Sequence, residues 1–219
     1  MKVCTDACIF GAWVSNSKAT RLHTGNCLDI GTGTGLLGLM IAQKTALQID
    51  AIEIEDNAFA QAQENFMRSP WNDRIQLFHD DINTFSIKKY DFIISNPPFF
   101  ENDLLSENKN TNIARHDESL TLHQLIAAVN LRIDENGYFA VLLPYHRLNH
   151  FETLALKNKL FLNEKLLIRQ TPEHDFFRGI SIFTRAKNSI VHKELCIKDE
   201  QGAYTAECTS ILKDFYLNA

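Results

Sequence analysis

Ser95-Asn96-Pro97-Pro98-Phe99-Phe100 follows the apolar run Tyr90-Asp91-Phe92-Ile93-Ile94, so it stands where a buried strand must stop. Two successive prolines cannot extend a hydrogen-bonded ladder, and each holds the residue before it out of the helical region. The result is a stiff, extended turn. Such a turn can aim the Asn96 side-chain oxygen and the Pro97 carbonyl, both acceptors, into one pocket beside the Phe99 ring. Two acceptors next to an aromatic face suit a planar group that carries an NH2. An isolated Asn-Pro-Pro is as readily a rigid cap on a strand, and an upstream motif shifts the balance toward chemistry.

That motif is Gly31-Thr32-Gly33-Thr34-Gly35, set between the strand-like Cys27-Leu28-Asp29-Ile30 and a helix-like run from Leu36 to Lys44. Glycines admit positive φ and let a ligand approach main-chain atoms, and the turn feeds the positive end of a helix dipole. Alone, the pattern is shared by dinucleotide binders and chance loops. The next strand-like run, Gln48 to Ile54, carries Glu53 near its end. An acid there can accept both ribose hydroxyls of an adenosine-containing ligand. A nucleotide-type cofactor is therefore expected. A dinucleotide would need a second half-domain, for which little chain remains.

Positioning these motifs takes strands that alternate with helices. An apolar helix over residues 7–13 has Thr5 or Asp6 as N-cap, and a second amphipathic helix runs from Asp56 through Arg68. Arg74 to His79 reads as a strand that ends in the acid pair Asp80-Asp81. Thr121-x-x-Gln124 is a capping box for a helix to about Ile133, after which Glu135-Asn136-Gly137 breaks the chain before the strand Tyr138 to Leu143 and its stop, Pro144. Asn149-x-x-Glu152 starts a helix to Lys159. The runs Phe161 to Arg169 and Ile180 to Ala186 can pair antiparallel, and the end reads as an appended strand, turn and helix. This order predicts an α/β, three-layer fold with a mostly parallel sheet, over residues 1–219 as one domain. The polar segment 101–118 is too polar for core and suits a substrate-facing lid. Within it, Arg115 is either a solvated side chain or a phosphate or carboxylate contact.

Composition excludes several classes. With 45% hydrophobic and 22% charged residues in 219, the chain is an ordinary globular sequence rather than a disordered or fibrous one. It holds no apolar run of membrane-spanning length and no secretory pattern at its start, so a cytoplasmic protein is expected. Five scattered cysteines indicate neither a disulfide framework nor zinc, and no metal is expected. The net charge of −5 offers no general attraction for polyanions. Its distribution is uneven, because residues 141–198 hold ten Lys or Arg against five acids, an excess of +5. A solvated face and a modest basic surface are both consistent with that excess.

Gly31 to Gly35, preceded by Asp29 where a carboxylate can help hold a cationic amino-acid tail, resembles the S-adenosylmethionine loop of class I methyltransferases. Asn96-Pro97-Pro98-Phe99 resembles the (Asn/Asp)-Pro-Pro-(Tyr/Phe) turn of those that methylate amino groups. More closely, Met1 to Asp6, Leu28 to Leu37, Glu53, Ala60 to Asn65, Ser95 to Phe100, Ala114-Arg115 and Asp214 to Leu217 resemble the tRNA1(Val) adenine N6-methyltransferase family. The resemblance runs nearly end to end. It implies a Rossmann-like fold with a mostly parallel seven-stranded sheet, helices on both faces and an antiparallel C-terminal strand. It also implies S-adenosylmethionine on Asp29, Gly31, Gly33, Gly35, Glu53, Asp81 and Asn96, with Asp81 accepting from the adenine amino group. Asn96, Pro97 and Phe99 would be catalytic, with Pro98, Phe100 and Arg115 toward the substrate, adenine-37 of a tRNA anticodon loop, in a monomeric enzyme. Members usually have Gly at the position of Cys4, more often Tyr at that of Phe99, and an aromatic, basic segment before the start seen here. Rival targets with the same NH2 are a ribosomal RNA guanine N2, a DNA adenine and a protein glutamine amide. A module that binds the cofactor without catalysis is the answer of a different class.

Overall fold

The structure is a computed structural model and describes residues 4–17, 19, 24–98 and 120–216. Phe99, Phe100, Arg115 and the polar segment read as a lid lie outside the described residues. In chain order the elements are α1 (Thr5–Ser15), β1 (Asn26–Ile30), α2 (Leu36–Lys44), β2 (Gln48–Glu53), α3 (Asp56–Met67), β3 (Ile75–His79) and β4 (Tyr90–Ser95). They continue with α4 (Leu122–Arg132), β5 (Ile133–Pro144), α5 (Leu148–Lys157), β6 (Phe161–Arg169), β7 (Phe176–Thr184), β8 (Val191–Cys196) and α6 (Ala206–Leu212).

The strands form one sheet of eight, in the order β3-β2-β1-β4-β5-β7-β6-β8. Pairing is parallel from β3 through β5, antiparallel on both sides of β7, and parallel again between β6 and β8. Seven of these strands follow the expected plan, and the appended segment adds an eighth at the edge. The strand order reverses between β1 and β4, and open α/β sheets bind ligands beyond the carboxyl ends of the strands at such a switch point. Both motifs sit there, since Ile30 pairs with Ser95.

Alternation along the central strands splits the core into two layers. Phe92 and Ile94 of β4, with Ala140 and Leu142 of β5, face α1, α2 and α6. Ile93, Phe139, Val141 and Leu143 face α4 and α5. Helix α1 is buried along almost its whole length, which explains why its sequence is apolar on every side. Its Asp6 does not act as a side-chain cap but pairs with Arg178 at 2.9 Å. The closing Asp214-Phe215 lies against α2, with Asp214 2.7 Å from Lys44 Nζ and the same ammonium 5.5 Å from the Phe215 ring centroid.

Three boundaries differ from expectation. Glu135-Asn136-Gly137 does not separate helix from strand but lies inside β5, where the register with β4 shifts between Tyr90 and Phe92. Strand β7 starts at Phe176 rather than Ile180, because Phe176 to Gly179 pair with β6 on one side and, from Arg178, with β5 on the other. Helix α5 starts at Leu148 with no side-chain cap, so Asn149 is not its N-cap. The capping box is present as read, with Thr121 Oγ1 accepting from the Gln124 N–H and the Gln124 side chain accepting from the Thr121 N–H.

Candidate active site

The glycine turn leaves β1 and enters α2 through three residues of positive φ, Gly31 at 67°, Gly33 at 59° and Gly35 at 85°. At Gly35 a side chain is excluded twice, by backbone conformation and by space, since a Cβ there would lie 2.6 Å from the Phe66 ring. At Gly31 a Cβ would meet no atom within 4 Å, so the backbone borders open space on the ligand side. Asn65 Nδ2 donates to the Thr34 carbonyl at 2.8 Å and ties α3 to the turn.

Two buried carboxylates flank that turn. Glu53, at the end of β2, accepts from the N–H groups of Gly33 at 2.8 Å, Ile54 at 2.9 Å and Glu55 at 2.9 Å. A carboxylate offers about four acceptor positions, so capacity remains for a hydroxyl. Asp29 is fully buried, and its Oδ2 accepts from Thr32 Oγ1 at 2.6 Å and the Gly38 N–H at 3.1 Å. Its Oδ1 is buried and has no partner. Burial in this apolar setting pushes the Asp29 carboxyl up to about 7; its two hydrogen bonds pull the other way, and the Glu53 charge adds to the rise.

Asp81 follows β3, and its Oδ1 accepts from both the backbone and side-chain nitrogens of Asn83 at 2.9 Å. Only Oδ2 is left for a ligand. The segment carrying Asp81 is braced from below by Arg132, a buried arginine at the end of α4. Its guanidinium donates to the carbonyls of Phe85, Ser86 and Ala128. Nothing in the local sequence marks Arg132 as buried. Ile54, immediately after Glu53, is 58% exposed, an apolar side chain at the mouth beside that carboxylate that sequence reasoning also passed over.

On the other side of the switch point, Ser95 Oγ donates to the Ile30 carbonyl at 2.9 Å and fixes the end of β4 to the end of β1. Asn96 comes next. Its Oδ1 is buried with no hydrogen-bond partner, Pro97 is buried and Pro98 is exposed. A buried amide oxygen without a donor is costly, about 1–3 kcal/mol, unless a ligand supplies one. The structure thus brings Asp29, Gly31, Gly33, Gly35, Glu53, Asp81 and Asn96 to one end of the sheet.

The basic surface does not form as a single face. Exposed Lys157, Lys159 and Lys187 lie at the opposite end of the sheet, where β6 begins and β7 finishes. At the ligand end, Arg178 is paired with Asp6 and Arg169 with Glu194 at 2.5 Å. Among the described residues no group of three or more His, Cys, Asp or Glu could hold a metal ion, and no helix is long and apolar enough to cross a membrane.

Sheet order, glycine turn, the acid at the end of β2 and the Asn-Pro-Pro turn define a class I methyltransferase, and residues 12–143 match the Methyltransferase small domain family. In the same fold, a predicted O-methyltransferase from Agrobacterium tumefaciens superposes with a TM-score of 0.70 at 12% identity, covering 94% of this chain and 95% of that one. Curated relatives are much nearer in sequence. The tRNA1(Val) (adenine(37)-N6)-methyltransferase of Dyadobacter fermentans is 42% identical over 99% of this chain and 91% of its own. That of Pseudoalteromonas translucida is 40% identical over 99% and 92%. The chain belongs to the tRNA1(Val) (adenine(37)-N6)-methyltransferase family.

Proposed function

We propose that this protein transfers a methyl group from S-adenosylmethionine to N6 of adenine-37 in the anticodon loop of a tRNA1(Val)-type tRNA, in the cytoplasm. The observation that carries the reaction class is the unpartnered, buried Asn96 Oδ1 at the carboxyl end of β4, beside the glycine turn. An exocyclic amine is the donor it lacks. The relatives' names carry the choice of tRNA.

The residues present fit the cofactor. The Gly31 backbone borders open space, the Asp29 Oδ1 wants a cationic or N–H partner, and Glu53 retains room for a ribose hydroxyl. Ile54 would cover the adenine and Asp81 Oδ2 would accept from its amino group. When bound, S-adenosylmethionine supplies an electrophilic methyl group on a sulfonium.

The protein's own part is to prepare the nitrogen. An adenine N6 is a weak nucleophile because its lone pair is delocalised into the ring. Asn96 Oδ1 and the Pro97 carbonyl, accepting its two N–H bonds, favour the tetrahedral arrangement and stabilise the positive charge that develops there. Pro97 and Pro98 keep both acceptors fixed, so little reorganisation is needed as charge appears. By the resemblance, Phe99 would stack on the base, Pro98 and Phe100 would border it, and Arg115 would contact a phosphate or carboxylate.

Transfer of labelled methyl groups to purified tRNA, ribosomal RNA, duplex DNA and protein extract, measured side by side, tests the reading. N6-methyladenine in tRNA is expected. Label in protein, or as N2-methylguanine in ribosomal RNA, with none in tRNA, would overturn the substrate while sparing the reaction class.

A further inference from the structure

Beyond the Asn96 turn, three strand ends meet in a cluster that methyl transfer does not use. Pro144 at the end of β5 pairs with Arg178 of β7, and Arg169 at the end of β6 pairs with Phe176. Tyr145 follows Pro144 in a short 3-10 turn. Because β5 and β6 run parallel to β4 in the sheet while β7 runs against them, Tyr145, Phe176 and Arg169 share the end that carries Asn96.

Their side chains pack in succession, with the Tyr145 and Phe176 rings tilted by 44° to each other. The Tyr145 and Phe176 ring centroids are 5.6 Å apart, and the Arg169 guanidinium lies 4.8 Å from the Phe176 centroid on its way to Glu194. Phe176 and Arg169 are half-buried and held by the sheet. Tyr145, at the open end of the cluster, is 45% exposed. A large ring braced from behind and bare in front is a stacking surface.

Its position suits a neighbour of the reacting base. Ser95 pairs with Val141, so Asn96 comes level with Leu142, three residues before Tyr145. At about 3.3 Å per residue along a strand and 4.8 Å between strands, the Tyr145 backbone lies about 11 Å from that of Asn96. That is too far to touch the base under attack and close enough for one beside it in the same loop. The charges of Arg169 and Arg178 are met by Glu194 and Asp6, so the patch offers a π face rather than a phosphate site.

We propose that Tyr145, backed by Phe176 and Arg169, stacks on an unpaired base that flanks the methylated adenine. The inference rests on the tRNA reading. Stacking is tolerant of base identity and releases no counterions, whereas a phosphate contact loses strength as salt rises. The penalty for removing Tyr145 should therefore be the same at every salt concentration.

The test uses the full chain and an anticodon stem-loop RNA with 2-aminopurine in place of each base flanking the target, in turn. Tyr145→Ala should weaken RNA binding about tenfold at low and high salt alike, raise KM for tRNA more than it lowers kcat, and leave the melting temperature and S-adenosylmethionine affinity unchanged. Tyr145→Phe and Tyr145→Trp should restore binding. At one flanking position, fluorescence should be quenched by the wild-type protein and by Tyr145→Phe but not by Tyr145→Ala. Wild-type RNA affinity in Tyr145→Ala, or a loss that follows a drop in melting temperature, would overturn the platform while methylation of tRNA by the wild type stood. No transfer to tRNA by the wild type would overturn the substrate reading and the platform together.

Discussion

The two halves of the ligand end are prepared in opposite ways. On the side of β1 and β2, most of the polar atoms are already wired to the protein, with Glu53 accepting three backbone N–H groups and Asp29 Oδ2 two donors, while Asp29 Oδ1 is left without a partner. On the side of β4, Asn96 Oδ1 has no partner, and Pro97 and Pro98 follow it directly. The first half is a socket that exists before its ligand arrives. The second leaves an acceptor open, and under the proposed function the reacting amine would supply its donor, so the interaction would be realised with the substrate. Damage to the first half should show in cofactor affinity and stability, and damage to the second in transfer alone.

The largest expected effect is at Asn96. Asn96→Ala should lower the transfer rate at saturating substrates by about 100-fold or more, the order seen when one such stabilising contact is removed, with S-adenosylmethionine affinity near wild type by calorimetry. A collapse of cofactor affinity as well would erase the contrast between the halves. Next comes Glu53→Ala, expected to weaken S-adenosylmethionine about 10- to 100-fold, since hydrogen bonds to a charged group contribute about 1.5–3 kcal/mol each. It should also lower the melting temperature, because three N–H groups lose their acceptor.

Asp29 sharpens the comparison through pH. Its carboxyl, raised to about 7, is protonated in the cofactor-free protein at mildly acidic pH, whereas a bound cation favours the ionised form. Cofactor affinity should rise from pH 5.5 to about 7 and level off above, with proton release visible as a buffer-dependent heat of binding. The stability of the free protein should run the other way. A carboxyl raised above its unfolded value contributes most at low pH, and that contribution is lost as pH climbs through 7. Asp29→Asn should flatten both profiles.

The smallest effect is expected where charge suggested RNA binding. Arg178→Met should destabilise the protein by about 1–3 kcal/mol by taking the ion partner from the buried Asp6, measured by denaturant melts, and change tRNA affinity less than twofold. A large loss of tRNA affinity with unchanged stability would place Arg178 on the RNA-binding face.

Much of the socket was legible in the sequence because its causes are local. Glycine at Gly31, Gly33 and Gly35 answers a need for positive φ, Pro97 and Pro98 end β4, and the capping box at Thr121 and Gln124 is a contact across one turn. The acid expected to hold ribose does stand at the mouth, yet three backbone N–H groups, one from the glycine turn and two from the residues just after the acid, already take much of its capacity, which the spacing did not reveal. The appended strand was legible at its apolar end, Leu195 to Ile197, but the start of β8 at Val191 was not, since Val191 to Glu194 are exposed and show little apolar pattern until they pair with β6.

By itself, then, the order of residues determined what each motif could do: which turns admit glycine only, which strand must stop at a double proline, which groups accept and which donate. Tertiary structure decided which of those groups remained free to act. Arg178 meets Asp6 from 172 residues away, Arg132 turns inward to three carbonyls, and Tyr145 joins Phe176 and Arg169 across three strand ends. Each outcome depends on pairing between segments distant in sequence. Spacing along the chain carries no record of such pairing, because a sheet aligns its strands through hydrogen bonds and burial rather than through their order.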